Sequence, residues 1–105
     1  MNEVDILEEK AIDAALHSAW KDAIQINKKI LVTDKKNIAA FLRLGFAQLQ
    51  NVNFREAKKY YQKALKIQPS NLMAKENLDR IRILLTKGHK KTKKTSIFSL
   101  LLRQK

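Results

Sequence analysis

The sequence predicts an all-α chain of about five helices folded as consecutive hairpins, and three observations carry that expectation. From Asn37 to Asn71 apolar residues recur at three- and four-residue spacing, Phe41 and Leu44 in one run and Tyr61, Ala64 and Leu65 in the next, so each of two helices gains one apolar stripe. A weaker copy stands 34 residues earlier, with Trp20-Lys21-Asp22-Ala23 above Phe54-Arg55-Glu56-Ala57 and Asn37 above Asn71. Pro69 cannot continue a helix, and Asn71 supplies a side-chain oxygen for the exposed amides of the helix that follows, which ends the hairpin.

Within the central hairpin Phe41, Leu44 and Gly45, then Ala57, Tyr61, Ala64 and Pro69, fall at the offsets of the tetratricopeptide repeat, which this stretch closely resembles. One departure is Gln48, where the family has a second aromatic residue on the first helix. The resemblance implies a short right-handed solenoid of helical hairpins in which Gly45 and Ala57 let two helices cross closely. It also implies binding of another macromolecule rather than chemistry.

Residues 3 to 36 read as a degenerate terminal repeat. Ala11 and Ala23 keep the small residues of the crossing, whereas Lys10, Asn27, Ile30 and Lys35 replace the family's leucine, aromatic, alanine and proline. Terminal repeats face solvent on one side, which relaxes the apolar rule. From Asn71 a third unit starts with Ala74, Leu78, Ile81 and Leu85 along one face and Lys75, Glu76, Asp79 and Arg82 on the other. Asp79 sits where a close-crossing second helix needs a small residue, so this is expected to be a capping helix that stops near Gly88. The expected organisation is one helical domain over residues 1–87, with repeats at about 4–37 and 38–71 and the capping helix at 72–87. Residues 88–105 form a basic tail with an apolar end.

Composition narrows the function. The chain has 105 residues, 45% of them hydrophobic, which supports one small helical core. It contains no cysteine, and its opening MNEVDILEEK carries carboxylates where a secretory signal carries positive charge, so a cytoplasmic location is expected. No apolar run approaches the roughly 20 residues needed to cross a bilayer. Two isolated histidines, His17 and His89, and two glycines offer neither a metal cluster nor a phosphate-cradling loop. No enzyme activity, cofactor, metal or small-molecule substrate is expected.

The family's first helices line a concave groove in which peptides lie. Carried over by register, the central one presents Ala39, Leu42, Phe46 and Leu49 with Arg43 beside them; the first adds Glu8 and Ile12, and the capping helix Met73, Asn77 and Arg80. Leu42, Phe46 and Leu49 read equally well as core covered by neighbouring helices. Some members grip a peptide's terminal carboxylate through Lys and Asn on the first groove helix. Glu8 and Ile12 occupy those positions here, so an acidic terminus is not the expected ligand. The leading expectation is an adaptor that takes an apolar or amphipathic segment of a partner protein.

Charge opens a second class. Residues 1–36 hold six lysines and seven carboxylates, whereas residues 37–105 hold sixteen Lys and Arg against three carboxylates, within a net charge of +12. Lys58, Lys59, Lys63 and Lys66, with Lys87, Lys90, Lys91, Lys93 and Lys94 of the tail, would suit nonspecific contact with nucleic acid, ribosome or acidic membrane. Ile97, Phe98, Leu100, Leu101 and Leu102 then give the tail an apolar end that can dock when a membrane, partner or second copy offers a surface. A third reading makes the chain an N-terminal fragment of a larger protein. The sequence specifies neither the partner nor the oligomeric state.

Overall fold

The computed structural model describes residues 2–86. The expectations placed on the tail, including Lys87 to Lys94, the apolar positions Ile97 to Leu102 and the stop at Gly88, lie outside the described residues. Five helices follow one another: α1 (Glu3–Leu16), α2 (Trp20–Thr33), α3 (Ile38–Gln50), α4 (Phe54–Ile67) and α5 (Leu72–Thr86). The described residues contain no strand, and the helices stack as a hairpin solenoid.

The repeat is written into the helix ends as much as the helix faces. Asn37 Oδ1 accepts from the Ala40 amide at 2.8 Å, and Asn71 Oδ1 accepts from the Ala74 amide at 2.8 Å. Each Asn also donates to the residue three positions back, Asp34 or Gln68. The same local network thus opens α3 and α5. α1 begins with a reciprocal box, in which Asn2 accepts from the Asp5 amide at 2.8 Å and its own amide donates to the Asp5 carboxylate at 3.4 Å.

The turns inside the two hairpins are also copies. The Ala19 amide donates to Ala14 oxygen at 2.8 Å, and the Asn53 amide donates to Gln48 oxygen at 2.9 Å, closing α1 and α3 with the same wide loop. That closure needs a left-handed residue, supplied by Ser18 (φ 56°) and Val52 (φ 65°) rather than glycine. A β-branched residue is strained there, so hairpin packing rather than local preference holds the turn.

Packing joins each helix mainly to the next in sequence. One core lies among α3, α4 and α5, built from Phe41, Leu44, Leu49, Phe54, Tyr61, Ile81 and Leu84 with small residues between them. Ala11, Ile30 and Ala40 form a second cluster, and Ala14, Ala23 and Ala47 an alanine seam between the first hairpin and α3. Gly45 departs from the expected reason for a small residue: a Cβ there would lie 2.7 Å from Tyr61 Cε2, so the glycine accommodates a buried ring rather than only a backbone. The inward stripe of α5 also differs, since Leu84 (1% exposed) is core while Leu85 is 37% exposed, and Asn77 shares the buried face.

Candidate binding groove

A concavity of about 530 Å³ lies between the two hairpins and α5. Its floor is α3, which contributes Ala39, Leu42, Arg43, Phe46 and Ala47; Met73, Asn77 and Arg80 of α5 form one wall. Ala15 of α1 and Trp20, Ala23 and Asn27 of α2 form the other. The Trp20 and Phe46 rings meet edge to face with centroids 5.5 Å apart. Phe46 is 45% and Met73 56% exposed, large apolar surface left to water inside a recess.

The polar groups are few and fixed. Arg43 Nη2 donates to Glu8 Oε2 at 2.9 Å, and its other nitrogen reaches Asn27 Oδ1 at 3.5 Å. Asn27 itself is fully buried and donates to Ala23 oxygen at 2.8 Å. On the opposite wall Asn77 donates to Met73 oxygen at 2.9 Å and accepts from Arg80 at 3.5 Å. Arg43 is therefore neutralised by Glu8, while Arg80 has no carboxylate partner among the described residues.

Of the residues expected at a groove, the structure brings Ala39, Leu42, Arg43, Phe46, Met73, Asn77 and Arg80 together. Glu8 reaches the site through Arg43, whereas Ile12 is exposed on α1 and outside the lining. Leu49 is a correction. It is 2% exposed in the α3–α4–α5 core, because the end of α3 is covered by the Val52 turn and the start of α4. Trp20, the register partner of Phe54, packs against the alanine seam and also lines the recess. Asn27 carried the missed signal: it stands in the register of Tyr61, and a short side chain replacing an aromatic ring leaves space between hairpins.

Tyr61 sits in the α3–α4–α5 core with its hydroxyl buried and, among the described residues, without a hydrogen-bond partner. Burial pushes the phenol above its ordinary range, and the positive charge of Arg80 pulls it partly back. Folding therefore favours the neutral phenol, and stability from this group is lost as pH rises above about 10, where the unfolded chain ionises first. Tyr61→Phe should match wild type at pH 7 or exceed it by up to about 1–3 kcal/mol. Above pH 10 wild type should lose about 1.4 kcal/mol per pH unit more than the variant, as read from urea midpoints of both proteins.

A wider depression of about 770 Å³ opens between α1 and α2 at the free end of the solenoid. Glu9, Asp13 and Asp22 mix there with Lys10 and Lys29, a wet surface of both signs. The apolar recess over α3 is the better candidate site.

Hairpins stacked so that one face is concave and apolar define a helical-repeat protein with a surface for another chain. The tetratricopeptide repeat family model matches residues 38–71, the whole of α3 and α4 with the turn that follows. Taken with the five-helix stack, this match supports a tetratricopeptide-type repeat protein. No curated protein matches the chain significantly. Such repeats are typically non-enzymatic modules of protein–protein interaction, and that general role is the one the match supports.

Proposed function

We propose that the chain is a cytoplasmic, non-catalytic adaptor whose recess over α3 takes an amphipathic segment of a partner protein. The observation that carries this reading is the half-exposed Phe46, set beside Trp20 and Met73 in a recess with one uncompensated cation. A large apolar side chain entering the recess removes both aromatic edges from water. A carboxylate on the same segment pairs with Arg80, whose charge no protein group offsets among the described residues.

Trp20 is the only tryptophan, so its emission reports directly on occupancy of the recess. Titration with amphipathic peptides that carry one aromatic and one acidic residue should shift that emission saturably and persist at about 0.5 M salt, well beyond the screening regime of ordinary ionic strength. Phe46→Ala should weaken binding by about tenfold or more, since aromatic anchors dominate such contacts. A peptide series that leaves Trp20 emission unchanged, or that binds wild type and Phe46→Ala equally, overturns the assignment.

A further inference from the structure

Two arginines line the recess over α3, Arg43 on its floor and Arg80 on the α5 wall, and both are set in the same way. Asn27 donates to the carbonyl four residues back, Ala23, and its Oδ1 faces Arg43 Nη1 at 3.5 Å. Asn77 donates to the Met73 carbonyl, and its Oδ1 faces Arg80 Nη1 at 3.5 Å. Each amide is thereby fixed with its oxygen toward a guanidinium. The two sites differ in charge. Glu8 of α1, 35 positions from Arg43 in the chain, places Oε2 2.9 Å from Arg43 Nη2. Arg80 meets no carboxylate within ion-pair distance among the described residues.

The Glu8 carboxylate is not what packs α1. That helix is seated by Val4, Leu7, Ala11 and Ala14, so a neutral residue at position 8 would leave the apolar contacts in place. What the carboxylate changes is the recess. The Arg43 and Glu8 side chains are 23% and 39% exposed, and a pair this sheltered is screened less than a surface pair. An acidic group arriving at Arg43 therefore meets a cation already paired, with a second negative charge directly behind it. At Arg80 it meets an open cation.

We infer that Glu8 is a specificity-determining residue of the groove. By neutralising Arg43 it restricts the recess to partner segments with one carboxylate, seated at Arg80, and turns away segments that bring a second acidic group to the Arg43 end. This rests on the reading of the recess as a site for an amphipathic segment.

The test follows Trp20 emission of the full chain with two sets of peptides. One is an amphipathic peptide with one aromatic residue and one glutamate; the other carries a second glutamate placed in turn at each remaining polar position. In wild type no second glutamate should tighten binding. In Glu8→Gln the best doubly acidic peptide should bind about fivefold tighter than its singly acidic parent, the upper range for a partly exposed ion pair. Arg43→Gln leaves Glu8 unpaired, and there the same second glutamate should weaken binding by about fivefold. Glu8→Gln/Arg43→Gln should restore the wild-type indifference. Both single variants break the same bridge, so a purely structural contact would move them in one direction, whereas a charge that sets specificity moves them in opposite directions. Partial unfolding scales both affinities of a variant alike and leaves their ratio intact. Should one single variant fail to fold, the other carries the test. A wild type that prefers doubly acidic peptides, a ratio unmoved by either substitution, or shifts in the same direction overturns the role of Glu8 while the groove reading stands. Peptides that all leave Trp20 emission unchanged overturn the groove reading, and the role of Glu8 falls with it.

Discussion

Gly45→Leu should abolish the cooperative thermal transition of this protein or shift it sharply downward. A Cβ at position 45 would lie 2.7, 2.8 and 2.9 Å from Cε2, Cζ and Cδ2 of Tyr61, all nearer than non-bonded carbons approach. The ring has no room to retreat, because Tyr61 is 0% exposed and wedged between α3 and α5 neighbours in the same core. Even Gly45→Ala should therefore lose about 1–3 kcal/mol, and leucine should lose more. Small domains hold only about 5–15 kcal/mol in total. Circular dichroism melts of wild type and both variants provide the measurement. Gly45→Leu combined with Tyr61→Ala should recover part of the loss, since the second change removes the obstructing ring. An unchanged midpoint for Gly45→Leu alone would show that the ring is not where the structure places it.

Leu49→Ala should destabilise the partner-free protein by about 2–5 kcal/mol, the range for emptying a buried leucine site. Three residues earlier on the same helix, Phe46→Ala removes a larger side chain and should lower stability less, because 45% of Phe46 already faces water. The full core penalty for phenylalanine, about 3–5 kcal/mol, does not apply to a half-exposed ring. Urea midpoints of the two variants separate the roles of these neighbouring positions. The reverse order, with Phe46→Ala the more damaging, would place Phe46 in the core and remove the floor of the proposed groove.

These two positions also show where sequence reasoning stops. The central hairpin was legible because its spacing, its small residue at position 45 and its terminal Pro69 each point to one backbone arrangement. Periodicity assigns a face to a helix, but α3 is buried on several sides at once, with Phe41, Leu44, Ala47, Gln48 and Leu49 all inaccessible. When a helix lies between two others, a three- or four-residue spacing cannot say which part of the stripe is covered and which forms an open floor. The place of Trp20 was hidden for a related reason. Its register partner Phe54 is 5% exposed, yet the wider indole at the start of α2 meets Phe46 across the recess. Asn27 is the opposite case, a visible substitution whose effect depends on Arg43 filling part of the space.

The concentration of packing between consecutive helices has a kinetic meaning. Contacts between close sequence neighbours require only short loops to close, so the search for the native arrangement is local and belongs to the microsecond-to-millisecond class of helical proteins. Structure can begin at α3 and α4, where the family pattern is strongest, and spread outward one helix at a time. Opening then runs in the reverse direction. α1 and α5 each rest mainly on one neighbour and are expected to separate before the centre does, which places Ala15, Met73 and Arg80 on the parts of the recess that loosen first.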